Sequence, residues 1–95
     1  MVKIQIQLMK EGDTVIVYSP ALDLSGYGKT AEEAKKDFDA ALKIFIEEAT
    51  AHGTLEKALE ELGWKKVVIH NKPQWQPRIE LLSNVIEEEI QLPAA

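Results

Sequence analysis

Thr30-Ala31-Glu32-Glu33-Ala34-Lys35-Lys36-Asp37-Phe38-Asp39-Ala40-Ala41-Leu42-Lys43-Ile44-Phe45-Ile46-Glu47-Glu48-Ala49 is the stretch whose reading decides the fold. A threonine followed three residues later by glutamate is a capping box, in which each side chain takes a backbone N–H of the opening turn. Two acids in that turn also suit the positive end of a helix dipole. Ala31, Ala34, Phe38, Ala41, Leu42, Phe45, Ile46 and Ala49 then recur at steps of three and four, so they form one stripe of a helix. Glu32, Lys35, Lys36, Asp39, Lys43 and Glu47 fill the other face. Gly53, after His52, supplies a glycine stop. Such a helix is about 30 Å long, enough to lie across a small sheet.

The sheet is readable on the N-terminal side. Val2, Ile4, Ile6 and Leu8 alternate with Lys3, Gln5, Gln7 and Met9, the period of a strand with one buried face. Glu11-Gly12-Asp13 carries turn chemistry, and Thr14-Val15-Ile16-Val17-Tyr18 reads as the returning strand. Pro20 ends it. Leu24-Ser25-Gly26-Tyr27-Gly28 reads as a short third strand, whose glycines mark a bulge or a close backbone approach.

Beyond the long helix, Thr54 is placed to cap a shorter one carrying Leu55, Ala58, Leu59 and Leu62, with Gly63 at its end. Trp64 to His70 then reads as a strand and Asn71 to Pro77 as a proline-bracketed loop. Arg78 to Leu82 fits a helical turn. Ile86 to Leu92 fits a last strand, although the step from Ile86 to Ile90 also fits a helix. The order β-β-β-α-α-β predicts an α+β fold: an antiparallel three-stranded sheet, one long helix packed on it, a second short helix and a further C-terminal strand. Residues 1–70 form the expected domain, and 71–95 an extension packing on it or on a partner subunit.

Composition narrows the function. Ninety-five residues with 45% apolar and 28% charged side chains suit one globular domain. With no cysteine, disulfides and thiolate metal sites are excluded. No stretch reaches the roughly 20 apolar residues of a membrane span, and the alternating N-terminus is unlike a signal peptide, so a cytoplasmic location is expected. Eleven basic against sixteen acidic residues give a net charge of −5, which opposes direct nucleic-acid binding and favours a basic partner.

Chemistry is sparse. Gly26 and Gly28 lack the remainder of a phosphate-binding fingerprint, and no serine or threonine sits in a nucleophile elbow. No cofactor, metal site or catalytic group is expected. His52 reads as a cation at a helix C-terminus, and Asp13 and Asp23 as turn residues. Glu87-Glu88-Glu89 fits either a solvated edge or a docking strip for a basic partner. Trp64 suits the core, whereas Trp75, between prolines, suits an interface as well as a core.

The run from Val17 to Ala34, with Ser19-Pro20, Gly28-Lys29-Thr30 and Glu32-Glu33-Ala34 in that order, resembles the HicB-type antitoxin family. The helix through Phe38 and Ile46 and the segment Leu59-Glu60-Glu61-Leu62-Gly63-Trp64 are similar too, so the resemblance covers roughly residues 2 to 70. It implies a partial ribonuclease-H-like fold and binding to a small basic mRNA-cleaving toxin of the HicA type, whose active surface the antitoxin occludes. Two departures stand out. Ala21-Leu22-Asp23-Leu24 replaces a Pro-Gly-Cys-like step, and the tail from Asn71 lacks the DNA-binding unit with which many members end.

The expected partner surface comprises Tyr18, Pro20, Asp23, Leu24 and Tyr27, with Trp75 contributing. Homodimerisation through a sheet edge or the tail Ile90–Leu92 is also expected from so small a core. Two alternatives stay open: a stand-alone HicB-like structural oligomer without toxin, and a degenerate metal-dependent ribonuclease-H-like nuclease using Asp13, Asp23 and a distant glutamate.

Overall fold

The computed structural model describes residues 4–79 together with 88, 89, 91 and 93. Three strands open it: β1 (Gln7–Glu11), β2 (Thr14–Ser19) and β3 (Leu24–Gly28). They form one antiparallel sheet in the order β1-β2-β3. Glu11 pairs with Thr14 across the two-residue loop Gly12-Asp13, where Gly12 alone has positive φ, at 58°. Glycine at the first loop position is what a type II′ hairpin turn requires. The chain between β2 and β3 is held by the buried Ser19, whose Oγ accepts the Leu22 N–H at 3.3 Å.

Helix α1 (Ala31–Ala51) begins where the sequence places it. Thr30 Oγ1 accepts the Glu33 N–H at 3.1 Å. The reciprocal bond is shifted by one residue, because Glu33 Oε2 accepts from Lys29 N–H, at 2.9 Å. At the other end His52 Nδ1 donates to the Glu48 carbonyl at 2.8 Å, and Gly53 takes φ 66°. Histidine and glycine thus share the task of closing the helix.

Close helix–sheet contact explains both glycines of β3. A Cβ on Gly26 would lie 2.3 Å from the Phe38 nitrogen, and one on Gly28 2.6 Å from the Ala34 nitrogen. Only a strand without side chains there can approach the α1 backbone so closely. Val17, Ala34 and Phe38 are buried in this layer. A second buried cluster joins Ala21, Leu22, Leu59 and Trp64, so the β2–β3 loop is packed against the chain that follows α1. Leu59 belongs to the short helix α2 (Leu55–Glu61). Thr54 does not cap it with its side chain; that hydroxyl donates to the Ala49 carbonyl instead.

Two expectations need correction. The first strand starts at Gln7, with residues 4–6 ahead of it in no strand, and runs on to Glu11; the reading at Val2 lies outside the described residues. Ile4 and Ile6 still pack against the buried clusters, but Leu8 is 60% exposed, because α1 lies mainly over β3 and β2. The expected loop at 71–77 contains a strand. β4 (Lys65–Ile69) pairs with β5 (Lys72–Gln76) in a separate two-stranded sheet.

Their turn consists of His70 and Asn71, both at positive φ, 51° and 62°. Two such residues make the type I′ turn, usually written with Asn-Gly. Ile69 and Lys72 close it, and Pro73 is opposite Val68. The closing pair of a two-residue hairpin is hydrogen-bonded, so the next pair is not. Pro73 therefore directs its missing N–H away from β4 and costs the ladder nothing.

The observed order is β-β-β-α-α-β-β, and the boundary expected after residue 70 falls inside the β4–β5 turn. The readings of residues 80–82 and of most of 86–92 lie outside the described residues.

Candidate surface for a protein partner

Strand register sorts the sheet into two faces. Leu8, Val17 and Gly26 share one row, and Met9, Ile16 and Tyr27 the next. Adjacent rows point to opposite sides of a pleated sheet. Val17 and Gly26 face α1, so Met9, Ile16 and Tyr27 face away from it. Gln7, Tyr18 and Ser25 form a further row on that open side. Tyr27 is 56% exposed and Met9 42%.

The open face thus combines two tyrosines with a methionine and an isoleucine. Its ends are acidic, with Glu11 and Asp13 at the β1–β2 turn and Asp23 beyond β2. The Tyr18 hydroxyl donates to Asp23 Oδ1 at 3.0 Å. That bond holds the phenol above its ordinary pKa, reinforced by slight desolvation and by the aspartate's charge. Asp23 itself has φ 52°, a conformation that aspartate tolerates better than most residues.

The six expected contact residues do not all come together. Tyr18 and Tyr27 share the open face, and Asp23 joins them through the Tyr18 bond. Pro20 is half-buried in the loop. Leu24 points into the core, as its place in the helix-facing row with Ser19 dictates. Trp75 is elsewhere, half-buried on β5 against the cluster around Trp64. Lys66 sits over its ring, 5.3 Å from the centroid, and also pairs with Glu56.

Met9 and Ile16 were missed as surface residues. The alternation that assigns Leu8 and Val17 to one face places them on the other. The helix-facing glycines say which face is which.

Trp75 also lines an open apolar cleft of about 300 Å³, walled by residues such as Ile4, Leu22, Phe45, Leu59 and Trp64. Among the described residues, every side chain lining this cleft is hydrocarbon or indole, so these walls offer shape and no acid, base or nucleophile.

Asp13 and Asp23 flank β2 at opposite ends. A six-residue strand spans about 20 Å, far more than two carboxylates can bridge around shared metal ions. Among the described residues, no three acids or histidines gather as a metal-binding group. No described helix is long and apolar enough to cross a membrane.

No family model, curated protein or solved structure matches this chain.

Proposed function

We propose that this chain is a HicB-like protein-binding module that neutralises a small basic mRNA-cleaving toxin of the HicA type by covering its active surface. The observation that carries the reading is the open sheet face, where Tyr18 and Tyr27 stand beside Met9 and Ile16. Aromatic and methionine side chains are enriched at protein interfaces because they bury much area for few rotatable bonds. Acids at both ends of the face suit a basic partner, as does the net charge of −5. In this role the module supplies no catalytic group and needs no cofactor. The ordered run from Ser19-Pro20 through Glu32-Glu33-Ala34 supports the HicB comparison.

Co-expression with the neighbouring gene's product tests the reading. The complex is expected to co-purify, to suppress RNA cleavage by the partner, and to weaken at least about tenfold with Tyr27→Ala, an anchor-sized loss. Ile44→Ala, on the exposed side of α1, should leave it unchanged. Failure to recover a basic partner, or binding indifferent to Tyr18 and Tyr27, overturns the proposal.

A further inference from the structure

The two edges of the three-stranded sheet are not equivalent. On the β3 side, the outward N–H of Tyr27 already donates to Asp37 Oδ2 of α1, at 2.8 Å. That edge is partly closed by the molecule's own helix. On the β1 side, every residue from Gln7 to Glu11 is exposed.

Register shows which backbone groups β1 leaves outward. Glu11 and Thr14 close a two-residue hairpin and are hydrogen-bonded, so the bonded pairs are Glu11–Thr14, Met9–Ile16 and Gln7–Tyr18. The N–H and C=O of Leu8 and Lys10 must then point away from β2. The Tyr27 bond to Asp37 agrees with this phase, because Tyr27 faces Ile16 from the other side. An outward row of this kind is a template for another strand.

We infer that β1 pairs antiparallel with β1 of a second copy, about a two-fold axis through Leu8. Three two-fold registers compete. Centring on Lys10 sets like charges directly opposite, which is unfavourable. Centring on Met9 places Leu8 against the partner's Lys10.

Centring on Leu8 puts Leu8 against its own copy and brings outward-bonding Lys10 beside the partner's Ile6, the residue just before β1. The leucine side chain, 60% exposed in one chain, is then covered by its counterpart. Lys10 lays its stem along the partner's Ile6 and keeps its ammonium in water. Lys10 and Glu11 also cancel within the strand, so the edges do not repel one another despite two chains of −5.

The axis is normal to the sheet, so both α1 helices lie on one side. Both open faces lie on the other, and Tyr18 and Tyr27 appear twice on one six-stranded surface.

The absence of cysteine makes the test clean. Sedimentation of the full chain should give twice the 10.7 kDa of one copy. Leu8→Cys should form a disulfide-linked dimer on mild oxidation, since directly paired Cα atoms are about 5.5 Å apart, within disulfide reach. Met9→Cys, out of register with its own copy, should not. Leu8→Lys should raise the dimer dissociation constant at least about tenfold while the circular dichroism spectrum stays unchanged. A monomer at tens of micromolar, or a dimer insensitive to Leu8→Lys, overturns the pairing. Equal cross-linking at Met9 overturns the register.

Discussion

The indole Nε1 of Trp64 donates a 2.7 Å hydrogen bond to the carbonyl of Ala21, forty-three residues earlier in the chain. Both residues are buried, at 5% and 6% exposure. This bond fastens the β2–β3 loop to the start of β4. Trp64→Phe retains most of the ring area but leaves the Ala21 carbonyl without its donor, so a loss of about 1–3 kcal/mol is expected. Trp64→Ala should cost about 3–5 kcal/mol. Urea melts followed by circular dichroism give both values, and a Phe variant as stable as the parent would show that water replaces the indole.

Neighbouring positions on β3 should differ sharply in their tolerance of substitution. Gly26→Ala forces a methyl group against the α1 backbone, where no flexible side chain can yield. About 3 kcal/mol or more should be lost. Tyr27→Ala, one residue on and exposed, should stay within about 0.5 kcal/mol. Denaturation midpoints of the two variants settle the comparison.

Within α1, Phe38→Ala should cost about 3–5 kcal/mol, because the ring is 2% exposed between Val17 and Ala34. Thr30→Ala should cost about 1 kcal/mol through the lost cap. The same melts rank them, and equal costs would mean that the helix is seated on another face.

The Tyr18–Asp23 bond has a pH signature. Its phenol pKa is raised in the folded chain, first by the hydrogen bond to Asp23. The unfolded tyrosine therefore ionises at lower pH than the folded one. The resulting stabilisation is complete below the unfolded value and disappears as pH climbs through the folded value. In a Tyr27→Phe background, phenolate absorbance should appear at lower pH after Asp23→Asn. An unchanged titration curve would mean that the bond does not persist in solution.

The β4–β5 turn should improve with glycine. Asn71 holds φ 62° without glycine's freedom, so Asn71→Gly should stabilise the hairpin by a few tenths to about 1 kcal/mol. Asn71→Val should destabilise it, since a branched Cβ resists that conformation. Amide exchange at Val67 and Ile69 reports both effects.

Much of this fold is written locally. Thr30 and Glu33 announce α1, the three- and four-residue spacing orients it, and Gly26 with Gly28 marks where a backbone passes close. β5 was hidden because Lys72-Pro73-Gln74-Trp75-Gln76 contains a proline and little alternation. Its turn, His70-Asn71, also lacks the expected glycine. Its pairing with β4 is a matter of tertiary register, which no short window contains.

The candidate surface was half legible. Tyr18 and Tyr27 stand one residue out of phase with the buried Val17 and Gly26, so the same alternation exposes them. Leu24 was misplaced because it follows the phase of Gly26. The position of Trp75 depends on contacts with Leu22 and Leu59, which are distant in sequence.

The bare backbone of Gly26 and Gly28 against α1 has a consequence for how such a module diversifies. Substitution is barred on the side where strand and helix touch, yet the opposite side of the same three strands carries no comparable restraint. A lineage could exchange Met9, Ile16, Tyr18 and Tyr27 for other side chains, and so change what that face presents, without disturbing the scaffold beneath them.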